Sequence, residues 1–378
     1  MLGISGQWLV ARVQWLVISG QWLALQSIFE AVVSAPTTAY WTLRYNQDMQ
    51  IVAQQEPATS ETSASGRELS ALVSGCGVYR ADRSLFRITG RDRVRWLNGM
   101  VSNNVRDLTA GHGVYAFVLN PQGNILGDLY VFNRGESLVA EIGRGQSESL
   151  LQILRKYIIM DKVEIEDLGE NILAIAGPKS GEVLASLGLS AELGSLQLFD
   201  VNWNGSILTL VRGDNPSSPS YELWVPAEKA ESVLNALMQA GAVEVHEETL
   251  ETFRILCGIP RVGQDIRERT LPQETGQERA LNFNKGCYIG QEIVERVRSR
   301  GAVHRTFVGF ELKGTLPAGT KVQSEGKDVG EITSVAAQPL KGRRLALGYL
   351  RREFLAGAKP LAARGEQVKA TTLPFLDF

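Results

Sequence analysis

Apolar residues recur along this chain in patterns that change at about residue 300. Up to that point alternating and helically spaced apolar runs interleave; from Arg305 onward the chain breaks into short apolar stretches separated by Gly and Pro. Leu150, Leu151, Leu154, Tyr157 and Ile158 fall at helical spacing and predict a helix over 147–160 with these side chains in the core. Apolar runs at 163–165, 172–175, 207–211 and 222–225 read as strands, alternating with helix-like segments at 180–187 and 227–240. That alternation predicts an α+β or α/β body. The later runs 307–312, 321–322, 329–335 and 345–350, with turn residues between them, predict a small β-barrel or sandwich.

Two segments in the first half place polar groups inside this pattern. Residues 90–99 predict a short helix in which arginines alternate with Val94, Trp96 and Leu97, closed by Gly99. Residues 113–132 predict a β-hairpin around the turn Pro121-Gln122-Gly123-Asn124. On the second strand Asp128 shares a face with Leu126 and Tyr130, so a carboxylate among apolar neighbours needs a partner or a ligand. The alternative is an acid that protects a sheet edge. Asp214 to Ser220 reads as a loop leading to Tyr221-Glu222, where Glu222 is a binding candidate or a solvated strand residue.

Length and composition bound the rest. A chain of 378 residues exceeds the size of a single hydrophobic core, and 44% hydrophobic with 21% charged residues is ordinary for a globular protein. A net charge of -2 gives no global preference for nucleic acid or anionic membrane. The three cysteines, Cys76, Cys257 and Cys287, are widely spaced without a Cys-x-x-Cys pair, which argues against a disulfide framework or a tightly bound metal and fits a reducing cytoplasm. Residues 1–48 carry Gln-Trp-Leu at 7–9, 14–16 and 21–23, interrupted by Arg12, Gln14, Ser19 and Gln21. Such a pattern predicts neither a membrane span nor, without a basic n-region, a signal peptide. As a helix the three tryptophans would lie near one stripe, as on a partner-binding or membrane-surface helix. A near-tandem repeat also fits a start codon placed too early, with Met49 the expected start; a proteomic peptide ending before Met49 would overturn this. Residues 49–68 are a flexible lead-in by composition, and the folded part is expected from Leu69.

The strongest candidate for chemistry is the run Lys285-Gly286-Cys287-Tyr288-Ile289-Gly290-Gln291-Glu292. The helix formers of 292–297 place Cys287 near a helix N-terminus, where the dipole favours an anion, and Lys285 adds a second pull toward thiolate. The thiolate is the nucleophilic and metal-binding form of cysteine. Read instead as structure, Cys287 is a small hydrophobe that follows a turn glycine.

This run resembles the Lys-Gly-Cys-Tyr-x-Gly-Gln-Glu signature of the YgfZ-type folate-binding proteins, relatives of the glycine-cleavage aminomethyltransferases, with every fixed position present. Residues 93–100, 115–130, 221–226 and 347–351 are similar to family landmarks in family order, so the resemblance covers the chain from about residue 70. It implies an α+β, GcvT/YgfZ-like multidomain folate-binding fold: 69–300 as two intertwined subdomains and 301–378 as a C-terminal β-barrel, in a ring around a central channel. It also implies tetrahydrofolate as ligand and a role in assembly or repair of iron-sulfur clusters in other proteins. Asp128 aligns with the aspartate of the transferase segment Gly-Gly-x-x-Asp-Asp-Leu, whose acid pair has here become Gly127-Asp128, and Glu222 with a glutamate that meets the pterin. The Tyr-Thr-Gly run that precedes that glutamate in transferases is absent, and Cys287 stands where they carry an acid.

Tetrahydrofolate asks for carboxylates, an aromatic slot and cations for its anionic tail. Asp128 and Glu222, then Tyr115 and Tyr130, then Arg296, Arg298, Arg300 and Arg305 supply these types. The arginine run is interleaved with Glu292 and Glu295, which argues against a nucleic-acid surface. There is no Gly-x-x-x-x-Gly-Lys-Ser/Thr loop, His-Glu-x-x-His or Gly-x-Ser-x-Gly, and a Cys287–His304 nucleophile–base pair has no specific support. The rival function is aminomethyl transfer to tetrahydrofolate. A cytoplasmic monomer acting with iron-sulfur client or assembly proteins is expected.

Overall fold

The computed structural model describes residues 63–301, 303–357 and 359–376. The tryptophan repeat, Met49 and most of the lead-in lie outside them. The first described element is helix α1 (Ala64–Ser74), which starts earlier than expected because the Ser63 hydroxyl accepts the Gly66 N–H at 3.0 Å and caps it. Glu68, placed in the lead-in by composition, is 8% exposed on this helix and accepts two hydrogen bonds from His246, through its backbone N–H at 3.1 Å and its ring at 2.8 Å.

Two antiparallel-rich sheets and a barrel follow. The first sheet contains β2 (Arg83–Thr89), β3 (His112–Leu119), β4 (Ile125–Asn133), β5 (Leu138–Gly143) and β6 (Glu164–Asp167), in the order β3-β4-β5-β2-β6. The predicted hairpin is β3 and β4, and Gly123 takes the positive φ of 75° that its turn requires. One face of the sheet is covered by α2 (Arg93–Met100) and α3 (Arg144–Lys156), whose Trp96, Leu97, Leu150 and Leu154 join Ala116, Val118, Leu129 and Val131 in one core. Helix α2 runs through Gly99 instead of ending there, since the Val101 N–H still closes on the Leu97 carbonyl at 3.2 Å. Helix α3 begins and ends earlier than its periodicity predicts: Tyr157 turns outward at 38% exposure, and Ile159 and Met160 follow it at 81% and 92%.

The second sheet contains β1 (Gly77–Arg80), β7 (Asn171–Ala176), β8 (Leu198–Trp203), β9 (Ser206–Arg212), β10 (Ser220–Val225) and β11 (Val243–Glu244), in the order β11-β1-β7-β10-β9-β8. Helices α4 (Ser180–Ser186) and α5 (Ala230–Gln239) cover its outer face through Val183, Leu184, Val233, Leu234 and Leu237. The uncovered faces of the two sheets meet, with Leu85, Phe132 and Val139 of the first packed on Ile172, Val211 and Trp224 of the second.

After α6 (Glu247–Leu256) and α7 (Gln291–Arg300) the chain closes a six-stranded barrel. Its strands are β12 (Arg305–Leu312), β13 (Lys321–Ser324), β14 (Lys327–Val335), β15 (Arg344–Arg351), β16 (Leu361–Ala363) and β17 (Glu366–Thr371). Closure leaves the barrel without an unpaired edge. It does not stand apart, since Thr59–Phe378 forms a single compact unit. A buried carboxylate makes one of the joints. Asp265 accepts from Arg254 Nη1 at 2.7 Å, the Arg261 N–H at 2.9 Å, Ser334 Oγ at 2.7 Å and the Thr333 hydroxyl, tying α6 and its following loop to β14.

Asp265→Ala should therefore unpair Arg254 and cost about 3–5 kcal/mol of stability, the range for breaking one side of a buried ion pair. Urea unfolding of the two proteins measures it; a loss under about 1 kcal/mol would show that the barrel is held by apolar contact alone.

Candidate functional site

Register builds a polar row on each facing sheet. Side chains two apart on a strand share a face, and paired residues sit side by side. Across the first sheet Tyr115 pairs with Tyr130, Tyr130 with Glu141 and Glu141 with Leu85, all pointing toward the second sheet. Across the second, Tyr79 pairs with Ala174, Ala174 with Glu222 and Glu222 with Val211. Between the rows lies a cavity of ≈120 Å³ lined by Tyr79, Tyr130, Phe132, Glu141, Asp214 and Glu222, among others.

The charges in this wall are paired unevenly. Arg83 forms an ion pair with Glu141, donates to the Glu141 carbonyl at 3.3 Å and lies 4.9 Å from the Tyr130 ring centre. Glu222 accepts the Trp224 indole N–H at 3.3 Å. Burial, then the Glu141 charge, holds the Glu222 carboxyl well above the usual carboxylate range. Tyr130 donates to Asp214 Oδ1 at 2.8 Å, Asp214 is ion-paired with Arg279, and Arg279 stacks on the Tyr115 ring at 4.4 Å.

Asp128 sits beside this cavity and does not line it. Its carboxylate accepts the Tyr115 hydroxyl at 2.7 Å and the Gln146 amide, while its own N–H donates to Gln146 Oε1 at 3.2 Å. The Tyr115 and Tyr130 ring centres are 4.9 Å apart, which links Asp128 to the cavity wall. Gln146, Glu141, Arg83, Asp214 and Arg279 were missed by sequence reasoning. For Glu141 the available signal was a charge inside the apolar strand Leu138-Val139-Ala140-Glu141-Ile142; Gln146, on a helix, and Asp214 and Arg279, outside the strands, carried no such signal.

A second cavity of ≈550 Å³ lies across a partition formed by the Asp214–Pro216 and Cys257–Ile259 segments. Asn215 Nδ2 donates to Cys257 Sγ at 3.5 Å within that partition, and burial pushes the Cys257 thiol up to about 12. The walls of this second cavity are neutral, with Thr275, Gln277, Thr306, Phe307 and Thr371 among them.

The cysteine motif occupies another place. Lys285 is 7% exposed, and its ammonium donates to the carbonyls of Asn98, Val101 and Asn103 at 2.6, 2.7 and 2.6 Å. These carbonyls lie at or just beyond the C-terminus of α2, where the dipole favours a cation, so Lys285 caps that helix from a distant part of the chain. Burial, with Arg106 nearby, pulls its pKa down to about 7, against the three acceptors that favour the charged form. Tyr288 is buried in one cluster with Tyr115, Phe117 and Val294, and the Ile289 N–H takes the Gly99 carbonyl at 3.2 Å. Gly290 has φ 84°, and a Cβ there would lie 2.6 Å from the Asn120 carbonyl of the hairpin turn. Gln291 Oε1 accepts the Tyr288 N–H at 3.3 Å, and Glu292 lies in the first turn of α7. Gly286 and Cys287 are exposed, with Cys287 three residues before the Gly290 N-cap.

Arg300 is exposed in the last turn of α7 and lines neither cavity. Arg305 is held by Glu274, with nitrogen–oxygen distances of 3.1 and 3.0 Å, and stacks on Tyr349. Among the described residues no group of three or more His, Cys, Asp or Glu is placed to hold a metal ion. No described helix is long and apolar enough to cross a membrane.

Two β-sheets facing across a polar cavity, followed by a closed barrel, define a class, and comparison with known proteins places the chain in it. The GCVT N-terminal domain matches residues 34–285 and the glycine cleavage T-protein C-terminal barrel domain matches residues 305–377; the chain belongs to this family. It is 26% identical over 285 residues to a putative chloroplastic transferase of Arabidopsis thaliana, covering 73% of this chain and 66% of that protein. It is 29% identical to the aminomethyltransferase of Rippkaea orientalis, covering 75% of this chain and 81% of that protein. For an aminomethyltransferase of Thermus thermophilus the figures are 29%, 77% and 84%. The crystal structure of glycine cleavage system aminomethyltransferase T from Bartonella henselae superposes with a TM-score of 0.75 at 21% identity, covering 82% of this chain and 89% of that one, and shows the same fold.

Lys285→Met should leave three carbonyls without their donor and destabilise the protein by about 3 kcal/mol or more. Cys287→Ser, at an exposed position, should change stability by no more than about 0.5 kcal/mol. Urea midpoints of the two variants check the pair, and equal losses would contradict the division between anchor and exposed group.

Proposed function

We propose that this protein is a YgfZ-type factor that binds tetrahydrofolate between its two sheets and supports assembly or repair of iron-sulfur clusters in client enzymes. One observation carries the reading: within the cysteine motif Lys285, Tyr288, Gly290 and Gln291 hold the loop in place, while the Cys287 thiol is left exposed. A thiol so presented is suited to redox exchange or to transient ligation of a metal or cluster in transit. Its setting in a cytoplasmic monomer that meets iron-sulfur client proteins completes the reading.

The cavity chemistry supports the folate part. Glu222 and Glu141 provide carboxyl groups for the donor-rich pterin edge, and Tyr79, Tyr130 and Phe132 provide flat walls. A volume of ≈120 Å³ suits one ring system, and the neutral cavity of ≈550 Å³ beyond the partition has room for more of a long ligand. Asp128, with Tyr115, lies next to the ring site, while Arg300, exposed outside both cavities, would meet the anionic tail only where it extends beyond them. Bound tetrahydrofolate would supply a one-carbon carrier.

Aminomethyl transfer is the second reading, favoured by the names of the relatives. Gly127 stands against it. A Cβ at that position would lie 2.6 Å from Gln146 Oε1 and 2.9 Å from Leu150 Cδ1, so an acid there would have to displace these side-chain ends, and with them the amide that holds Asp128.

The test is the activity of an iron-sulfur enzyme in cells lacking this protein, complemented at matched expression. Wild type should restore activity, Cys287→Ala should not, and Asp128→Ala should restore it only in part. Equal rescue by all three would remove Cys287 from the function. Rescue by none, together with robust turnover in a reconstituted glycine-cleavage assay, would replace the proposal with aminomethyl transfer.

A further inference from the structure

Of the three acids that line the cavity, Asp214 has Arg279, while Glu141 and Glu222 have Arg83 between them. Glu141, 1% exposed on β5, is ion-paired with Arg83 of β2. Glu222 faces them from β10 within hydrogen-bonding reach of the Glu141 carboxyl, and among the described residues it has no ion pair of its own. Among the described residues, the other titratable groups around the pair bring no second cation that is free to serve it. Tyr79 on β1, Tyr130 on β4 and Cys257 after α6 are neutral, each pushed upward by burial. Asp128 on β4 and Asp214 are acids with partners of their own, the latter taking up Arg279. Two ionised carboxylates in contact, away from water and sharing one guanidinium, repel each other strongly enough that one of them keeps a proton.

We propose that Glu141 and Glu222 form a carboxyl pair that holds one proton at neutral pH, with Arg83 fixing the charge on Glu141, so that Glu222 meets a ligand as donor as well as acceptor. Glu141 is then a positioning residue that acts through Glu222. A wall of this kind recognises a heterocycle whose edge alternates donors and acceptors, as a lactam or aminopyrimidine edge does. The ligand assignment rests on the folate reading; the shared proton does not. Burial and the neighbouring Glu141 charge both act on Glu222 in the direction the pair requires.

Infrared spectra of the ligand-free full chain test this through the carbonyl stretch of a protonated carboxylic acid. Wild type at neutral pH should show the band. Glu222→Gln should lose it, and Glu141→Gln should lose it too, since Glu222 then inherits Arg83 and ionises. Absence of the band from wild type overturns the proposal. A band that survives Glu141→Gln also overturns it, because burial alone would then hold the proton. Should Glu141→Gln fail to fold, a wild-type titration decides: the band should persist through neutrality and fade only on the alkaline side, whereas loss on the acid side of neutrality overturns the pair. No ligand is present in these spectra, so failure of tetrahydrofolate to bind would overturn the folate reading and leave this result standing.

Discussion

Burial of charge between two facing sheets is the constraint on which the rest of the structure depends. Sheets that meet face to face normally close into a dry core, as Leu85, Phe132, Val139, Ile172 and Trp224 do in part of this interface. Directly beside them the facing sheets carry Arg83, Glu141 and Glu222, and a buried charge requires a partner. The partners are recruited from several elements, and the space they leave is the cavity. The same demand spreads outward through Tyr130 to Asp214 and Arg279, and through Tyr115 to Asp128 and Gln146.

Gln146 shows how one polar contact shapes several properties together. It reaches Asp128 from the first turn of α3, and its Oε1 occupies the space over Gly127. A side chain at Gly127 would have to push aside the ends of both Gln146 and Leu150.

The motif loop is governed by a helix end. The last carbonyls of α2 have no partner within their own helix, and Lys285 and the Ile289 N–H satisfy them from nearly 190 residues away, Lys285 and Asn98 being 187 apart. Gly290 then lets the loop touch the hairpin turn, and Tyr288 enters the core beneath Tyr115. The motif loop and the cavity between the sheets are thereby two features of one scaffold, related through the β3–β4 hairpin, whose turn Gly290 meets and whose Tyr130 lines the cavity.

Periodicity and turn chemistry, which are local, were enough for the α+β class, the hairpin with Asp128 beside Tyr130, three of the six strands of the second sheet and the barrel's strand-rich character. Local signals misplaced the ends of α1, α2 and α3, because Ser63, the Val101 turn and the outward swing of Tyr157 set those ends through hydrogen bonds and packing that spacing does not encode. Only the tertiary structure decided that Glu141 and Arg83 share a wall with Glu222, that Gln146 holds Asp128, and that the Lys285 ammonium caps α2. Each of these joins residues far apart along the chain, and their energy comes from burying a charge beside its partner, a condition that exists only once the sheets have closed on one another.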